Sequence, residues 1–204
     1  MSVSKLSEEL VKAGCEVEVF TTTANGKTEL PVKPGVSAVV DGVKVTYFKR
    51  LTKDHSHFSP ALLKELRHRV KEFDVVHIHA WWNLVSVLSC RVAIIHRVPV
   101  VVSPRGTLSP YSFGNRNSLS KKLIHGLLGK RLLQKSDIHV TSKREKEAME
   151  ALFTPQTIFN IPNFVSLPHE VPEIKGKKNE YLRLIFFSRI EEKKGLDILL
   201  DALA

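Results

Sequence analysis

The chain has 204 residues, an apolar share of 43%, and 31 Lys+Arg against 21 Asp+Glu, giving a net charge of +10 and a pI near 9.7. This length suits one domain and part of a second, and the charge favours anionic partners such as phosphates, nucleic acid or an acidic membrane surface. Two cysteines, Cys15 and Cys90, exclude a disulfide framework and read as free thiols in a reducing cytoplasm. No run of about eighteen apolar residues reads as a membrane span, and the N-terminus shows no apolar signal core.

Val3, Leu6, Leu10 and Val11 predict an amphipathic helix over Val3 to Ala13, ended by Gly14. The alternation in Glu16-Val-Glu-Val-Phe20, finished by Thr21 to Thr23, predicts a strand. A doubly wound domain normally begins with a strand. The expectation is therefore that a first strand and its loop precede Met1 in a longer reading frame. Residues 24–41 are polar and rich in Pro and Gly, and read as a loop. Val43 to Phe48 alternates as a strand, and Lys49 to Ser59 is a basic loop. Ser59-Pro60 opens a helix that carries Leu62, Leu63, Leu66 and Val70 at helical spacing.

The next stretch is Asp74-Val-Val-His77-Ile-His79-Ala-Trp81-Trp82. Its short, β-branched apolar run predicts a strand buried on both faces, hence a parallel sheet covered by helices. Alternation puts His77 and His79 on one face. His79 lies near the carboxyl end of the strand, where open α/β sheets bind ligands. An imidazole followed by two indoles is a candidate sugar or acceptor site. Each feature also has a structural reading: His77 as a hydrogen-bonded core group, His79 likewise, and the tryptophans packing a helix onto the sheet.

Asn83 caps a predicted helix running to His96, and Pro99 to Val102 is a short buried strand. The loop Ser103-Pro-Arg105-Gly-Thr-Leu-Ser-Pro110 follows, with Arg105 as its single charge. A guanidinium there suits a phosphate or carboxylate, or else a salt bridge to a neighbouring carboxylate. Asn117 to Lys135 is a basic amphipathic helix, of the kind that lies on anionic lipid or simply faces water. Asp137 to Val140 is a strand, and Ser142 caps a helix over Lys143 to Leu152. Gln156 to Ile161 is a strand broken by Pro162-Asn163.

These elements define an α/β chain with a parallel sheet flanked by helices over residues 1–165 and a linker over 166–180. Residues 181–204 read as the start of a second domain. There, Tyr181 to Phe187 reads as a strand, a basic loop follows, and Leu196 to Ala204 starts a helix.

Three patterns resemble a GT-B glycosyltransferase of the group 1 type, the retaining family four. One is Leu10, Gly14, Glu16, Val17, Val19 and Thr21 in the spacing Leu-x-x-x-Gly-x-Glu-Val-x-Val-x-Thr. A second is Asp74-Val-Val-His-Ile-His79, with Ile161-Pro-Asn163 ahead of the linker. The third, and most specific, is Arg189-x4-Lys194-Gly195-x-Asp197. Ser188 stands where the family often has glycine before the arginine. Ser103 to Pro110 further resembles members that build bacterial surface polysaccharides and lipopolysaccharide.

The resemblance implies two Rossmann-like domains facing across a cleft, an acceptor side first and a nucleotide-sugar side second. Arg189 and Lys194 would hold the donor diphosphate, where fixed cations stabilise the developing charge. His79 would sit near the transferred sugar as the catalytic-site residue. Arg105, Trp81, Trp82 and Asn163 form the acceptor-side set. The implied reaction is retaining transfer from a nucleotide-sugar co-substrate to a glycan or lipid-linked acceptor. Attack is on the front face, with no metal or other cofactor, in the cytoplasm or on the inner face of the plasma membrane. The family's glycine-rich first loop would precede Met1, and its Glu-x7-Glu segment would follow Ala204. The chain by itself is therefore expected to be inactive or weakly active, which a nucleotide-sugar turnover assay checks. The competing reading is a noncatalytic module that binds an acceptor or a membrane. Nucleic acid is disfavoured, because the basic residues are dispersed and no recognition motif stands out.

Overall fold

The structure is a computed structural model and describes residues 3–54, 56–108, 125–163, 183–188, 190 and 192–203. The chain divides into two units, Met1–Val165 and Ser166–Ala204.

The first unit opens on helix α1 (Val3–Lys12). Gly14, with φ 89°, ends it as the Cys15 amide donates back to the Leu10 carbonyl at 3.0 Å. Strand β1 (Glu18–Thr22) follows, then the short antiparallel pair β2 (Ala24–Asn25) and β3 (Thr28–Glu29). Strands β4 (Ser37–Val40) and β5 (Val43–Phe48) come next. β5 is the middle strand of a three-stranded sheet, parallel to β1 and antiparallel to β4. Residues 24–41 are thus not all loop. Two-residue strands carry no readable period, and β4 is exposed along its whole length, so neither leaves an apolar alternation.

Helix α2 (Pro60–Arg69) has Pro at its first turn, and the Ser59 hydroxyl accepts from the Leu62 amide at 3.4 Å. A 3-10 turn leads to β6 (Val76–His79). Helix α3 (Leu84–Ile95) starts at Asn83, whose side-chain oxygen accepts from the Ser86 amide at 2.7 Å. Strand β7 (Val100–Ser103) pairs parallel with β6. Beyond it, a single π-helical turn (His125–Gly129) runs into α4 (Lys130–Gln134). The first part of the predicted basic helix, 117–124, lies outside the described residues. Strand β8 (Asp137–Val140), α5 (Lys143–Leu152) and β9 (Ile158–Asn160) complete a four-stranded parallel sheet in the order β6-β7-β8-β9.

This is the α/β, Rossmann-like parallel sheet flanked by helices that the hydrophobic pattern predicts. Its core joins Val100 and Val102 of β7, Ile138 and Val140 of β8, and Cys90, Val87 and Leu133 from the covering helices. Burial pushes the Cys90 thiol up to about 11, so it is a packing group rather than a thiolate. The expectation that the stretch at β6 is buried on both faces fails. β6 is only partly buried and Val75 is 49% exposed, because β6 lies at a sheet edge. A strand needs neighbours on both sides to be covered as an interior strand is.

A charged knot ties α2 to β1. The Arg69 guanidinium donates to both Glu18 carboxylate oxygens at 2.9 and 2.8 Å and to Glu72 at 2.9 Å, and it lies over the Phe20 and Phe73 rings. Arg69 holds the Glu18 carboxyl below its usual range. Replacing Arg69 with Met leaves a nearly buried carboxylate with Lys44 as its remaining cation, 3.2 Å away. That substitution is expected to cost about 2–3 kcal/mol in urea unfolding, and Arg69→Lys less, since lysine cannot make the bidentate pair.

In the second unit, a 3-10 turn (Glu192–Lys194) leads through Gly195, at φ 63°, into a short helix (Leu196–Asp201). The predicted strand at 181–187 is corrected where it is described. Residues 183–188 form no strand, and Ile185 and Phe187 are 88% and 97% exposed. A lone apolar segment has no ladder partner among the described residues, and a single strand cannot satisfy its backbone groups or bury its side chains.

Candidate active site at the sheet rim

The carboxyl ends of β6, β7 and β8 bring three histidines together. His77 and His79 share a face, as the alternation predicts, with ring centroids 4.1 Å apart. His139 of β8 lies 6.0 Å from His77. The buried Ser103 hydroxyl, at the end of β7, sits between them, 2.8 Å from His77 Nε2 and 2.9 Å from His139 Nδ1. His139 Nε2 is 3.0 Å from the Ile161 carbonyl, which can only accept. His139 Nε2 therefore carries a proton. In its neutral form Nδ1 accepts from the Ser103 hydroxyl, which in turn accepts from His77 Nε2–H. One chain of bonds fixes the tautomers of two imidazoles and orients the ring beneath His79.

Both strand histidines are held neutral. Burial is the main cause, with His139 and Arg105 adding repulsion, and it lowers His77 to about 4. Burial, then His77, Arg105 and His139, lowers His79 to about 3. An imidazole so depressed is a poor proton acceptor near neutrality. It serves as a directional hydrogen-bonding group.

Two strained turns carry the rim. Ala80 and Arg105, which directly follow β6 and lie just beyond β7, adopt φ 64° and 55°, a left-handed conformation uncommon outside glycine. The Ala80 amide donates to the Ser103 carbonyl at 2.9 Å, and the Thr107 amide closes the second turn on the Pro104 carbonyl at 3.1 Å. Arg105 Nη1 donates to the Asn163 side-chain oxygen at 2.7 Å. The Trp82 indole N–H donates to the Thr107 carbonyl. Glu145, in the first turn of α5, accepts from the Gly106 amide at 2.6 Å and from the Thr141 amide at 2.9 Å. That carboxylate ties the Arg105 loop to the end of β8.

Among the described residues, the buried side-chain nitrogens without a hydrogen-bond partner are His79 Nδ1, Trp81 Nε1 and Arg105 Nη2. Buried polar atoms are normally paired, so His79 Nδ1 and Arg105 Nη2 at this rim mark a place for a polar ligand, whereas Trp81 Nε1 belongs to a core side chain. A sugar hydroxyl both donates and accepts, and so matches an imidazole and a guanidinium together.

The rim thus gathers His79, Arg105, Trp82 and Asn163 from the sequence-derived set. Trp81 is fully buried in the core behind them. Lys194 is exposed in the second unit, and Arg189 lies outside the described residues. His139, Ser103 and Glu145 join the rim without belonging to the sequence-derived set. Two signals were present: a histidine inside Asp137-Ile-His-Val140 resembling that in β6, and the capping-box spacing Ser142-x-x-Glu145. Among the described residues, no group of three or more His, Cys, Asp or Glu is placed to hold a metal ion.

A parallel sheet with a polar, partly unpaired rim at its carboxyl ends defines an α/β ligand-binding domain. A family model described as Glycosyltransferase Family 4 matches residues 1–168, and the chain belongs to that family. It carries a glycosyltransferase-type domain, whose partners in general are a sugar donor and an acceptor. No curated protein and no solved structure matches the chain. Among the described residues, no helix is long and apolar enough to cross a membrane.

Proposed function

We propose that the chain serves transfer of a sugar from a nucleotide-sugar donor to a glycan or lipid-linked acceptor, with retention and without a metal, in a GT-B arrangement. The observation that carries this reading is the pair of unpaired buried nitrogens, His79 Nδ1 and Arg105 Nη2, at one sheet rim in a chain of this family. His79, kept neutral, hydrogen-bonds a sugar hydroxyl rather than taking its proton. Arg105, braced by Asn163, fixes a second oxygen, and Trp82 offers an indole face to the sugar ring. Arg189 and Lys194 hold the donor diphosphate. Bacterial surface polysaccharide synthesis, at the inner face of the plasma membrane, is the setting the Ser103 to Pro110 loop suggests.

Ligand-observed NMR with a panel of simple glycosides tests the acceptor side. Binding is expected to weaken about 10–100-fold in Arg105→Ala, the loss of one charge-assisted bond, and comparably in His79→Ala. Affinity should stay flat from pH 8 to 5.5, because His79 does not titrate there. Unchanged binding in both variants, or a step near pH 6.5, would remove the basis for this assignment.

A noncatalytic acceptor- or membrane-binding module is the second reading. It is favoured by a groove of about 600 Å³ between α2 and α3, lined by the apolar Leu63, Leu88 and Val92 and by the basic Lys64, Arg67 and Arg91. Flotation with phosphatidylglycerol vesicles, against neutral vesicles, separates the two readings.

A further inference from the structure

Among the described residues, three arginines are wholly or partly buried: Arg50, Arg69 and Arg105. Two of them bring a carboxylate with them. Arg50 Nε donates to Glu29 at 2.7 Å, and Arg69 pairs with Glu18 at 2.8 Å. A guanidinium drawn out of water needs such a counter-charge, because burial strips the hydration that otherwise stabilises it. Arg105 lacks one: among the described residues, no carboxylate makes an ion pair with it. Its Nη1 donates to the neutral Asn163 side-chain oxygen, and its Nη2 is buried without a partner.

The carboxylate that reaches this loop is engaged elsewhere. One Glu145 oxygen accepts from the Gly106 amide at 2.6 Å, and the other accepts from the Thr141 amide and hydroxyl at 2.9 and 3.1 Å. Glu145 therefore holds backbone, and it fixes a turn whose two residues, Arg105 and Gly106, both sit at positive φ, 55° and 73°. The guanidinium is positioned and its charge is left unanswered. The surrounding groups set the size of the counter-charge. Burial keeps His77 and His79 neutral, and Ser103, Trp82 and Asn163 carry no charge. A carboxylate, with one negative charge and oxygens that suit a guanidinium, balances this rim. A phosphate monoester brings about two charges at neutral pH and leaves about one of them unbalanced.

We infer that the sugar taken at this rim is acidic: a hexuronate whose carboxylate meets Arg105 Nη2 while a ring hydroxyl meets His79 Nδ1. This rests on the reading of the rim as the acceptor side and narrows it to a glycan that presents a uronic acid. Discrimination then has a physical source. A neutral hexose leaves the charge of Arg105 without a partner, whereas a uronate completes the ion pair that Arg50 and Arg69 find within the chain. Asn163 is a positioning residue, since its bond to Nη1 turns Nη2 away from it and leaves that nitrogen for the ligand.

The test titrates the full chain at pH 7, by ligand-observed NMR, with methyl glucuronide, methyl galacturonide, methyl glucoside and methyl glucuronamide, the last being a uronide with its charge removed. At least one uronide is expected to bind about tenfold or more tighter than both neutral probes, the gain from a charge-assisted hydrogen bond. In Arg105→Gln, which keeps an N–H donor without the charge, that preference is expected to fall below about twofold, while Arg105→Lys keeps part of it. Equal affinity for all four probes in the wild type overturns the inference and leaves glycoside binding at the rim standing. A preference that survives whole in Arg105→Gln does the same. Binding of none of the four removes the acceptor-side reading itself, and this inference with it. Inorganic phosphate that displaces a uronide at about a tenth of the uronide's concentration assigns Arg105 to a phosphate group and also overturns the inference.

Discussion

Trp81→Ala is expected to destabilise the first unit by about 3–5 kcal/mol, the range for emptying a large aromatic site that cannot collapse. Trp81 has no exposed surface and belongs to the cluster that holds Val102, Leu108 and Leu133. It directly follows Ala80, whose left-handed backbone turns the chain at the end of β6 and drives the indole inward. Against a total stability of roughly 5–15 kcal/mol, the loss is large enough to show as a clear shift of the urea midpoint with the slope unchanged. Trp81→Phe is expected to cost less, about 1–2 kcal/mol. Most of the packing survives, and the deleted indole nitrogen has no partner among the described residues. Trp82→Ala makes the contrast, since Trp82 is half-buried and bonded to the Thr107 carbonyl. Its substitution should shift stability less than Trp81→Ala and weaken glycoside binding more. A Trp82→Ala protein as unstable as Trp81→Ala would show that the two indoles do not divide core from rim.

Adjacent tryptophans with opposite placements mark the limit of what the sequence shows. Period and capping residues are local, and the elements they govern were legible: α3 behind Asn83, α5 behind Ser142, and β8 at Asp137–Val140. The pairing of His77 with His79 was legible for the same reason, since alternation within one strand is local. Ser103 was not legible as a bridge, because its partners lie in two other strands and nothing in Val100–Ser103 points to them. Glu145 reads as a helix cap, and that role is real. Its contact with the Gly106 amide depends on how a distant loop is laid against β8. The apolar run before Phe187 shows the converse failure, because a strand-like pattern makes a strand only beside another strand.

The same buried histidines make the first unit expectedly labile to mild acid. His77 and His79 titrate near 4 and 3 when folded, against an ordinary value of 6.5. Their folded values are depressed by burial, so between pH 6.5 and 4 the unfolded chain binds up to two more protons than the folded one. Stability then falls as pH falls, by up to about 1.4 kcal/mol per pH unit for each histidine. Part of that is screened, since both rings are only partly covered, and a loss of about 2–4 kcal/mol between pH 7 and 5 is expected. The window separates this effect from the carboxylates. Glu18, lowered from 4.5 by Arg69, contributes stability that is lost only as pH falls below that value. Urea midpoints measured from pH 7.5 to 5 should therefore decline steeply in the wild type. The decline should halve in His79→Asn, which keeps a hydrogen-bonding side chain but cannot take up the proton. The Ser103 chain that orients His77 remains in that variant, so the residual slope belongs to His77. An equally steep decline in His79→Asn would place the acid sensitivity elsewhere and free His79 to titrate near neutrality, where it would act as a base.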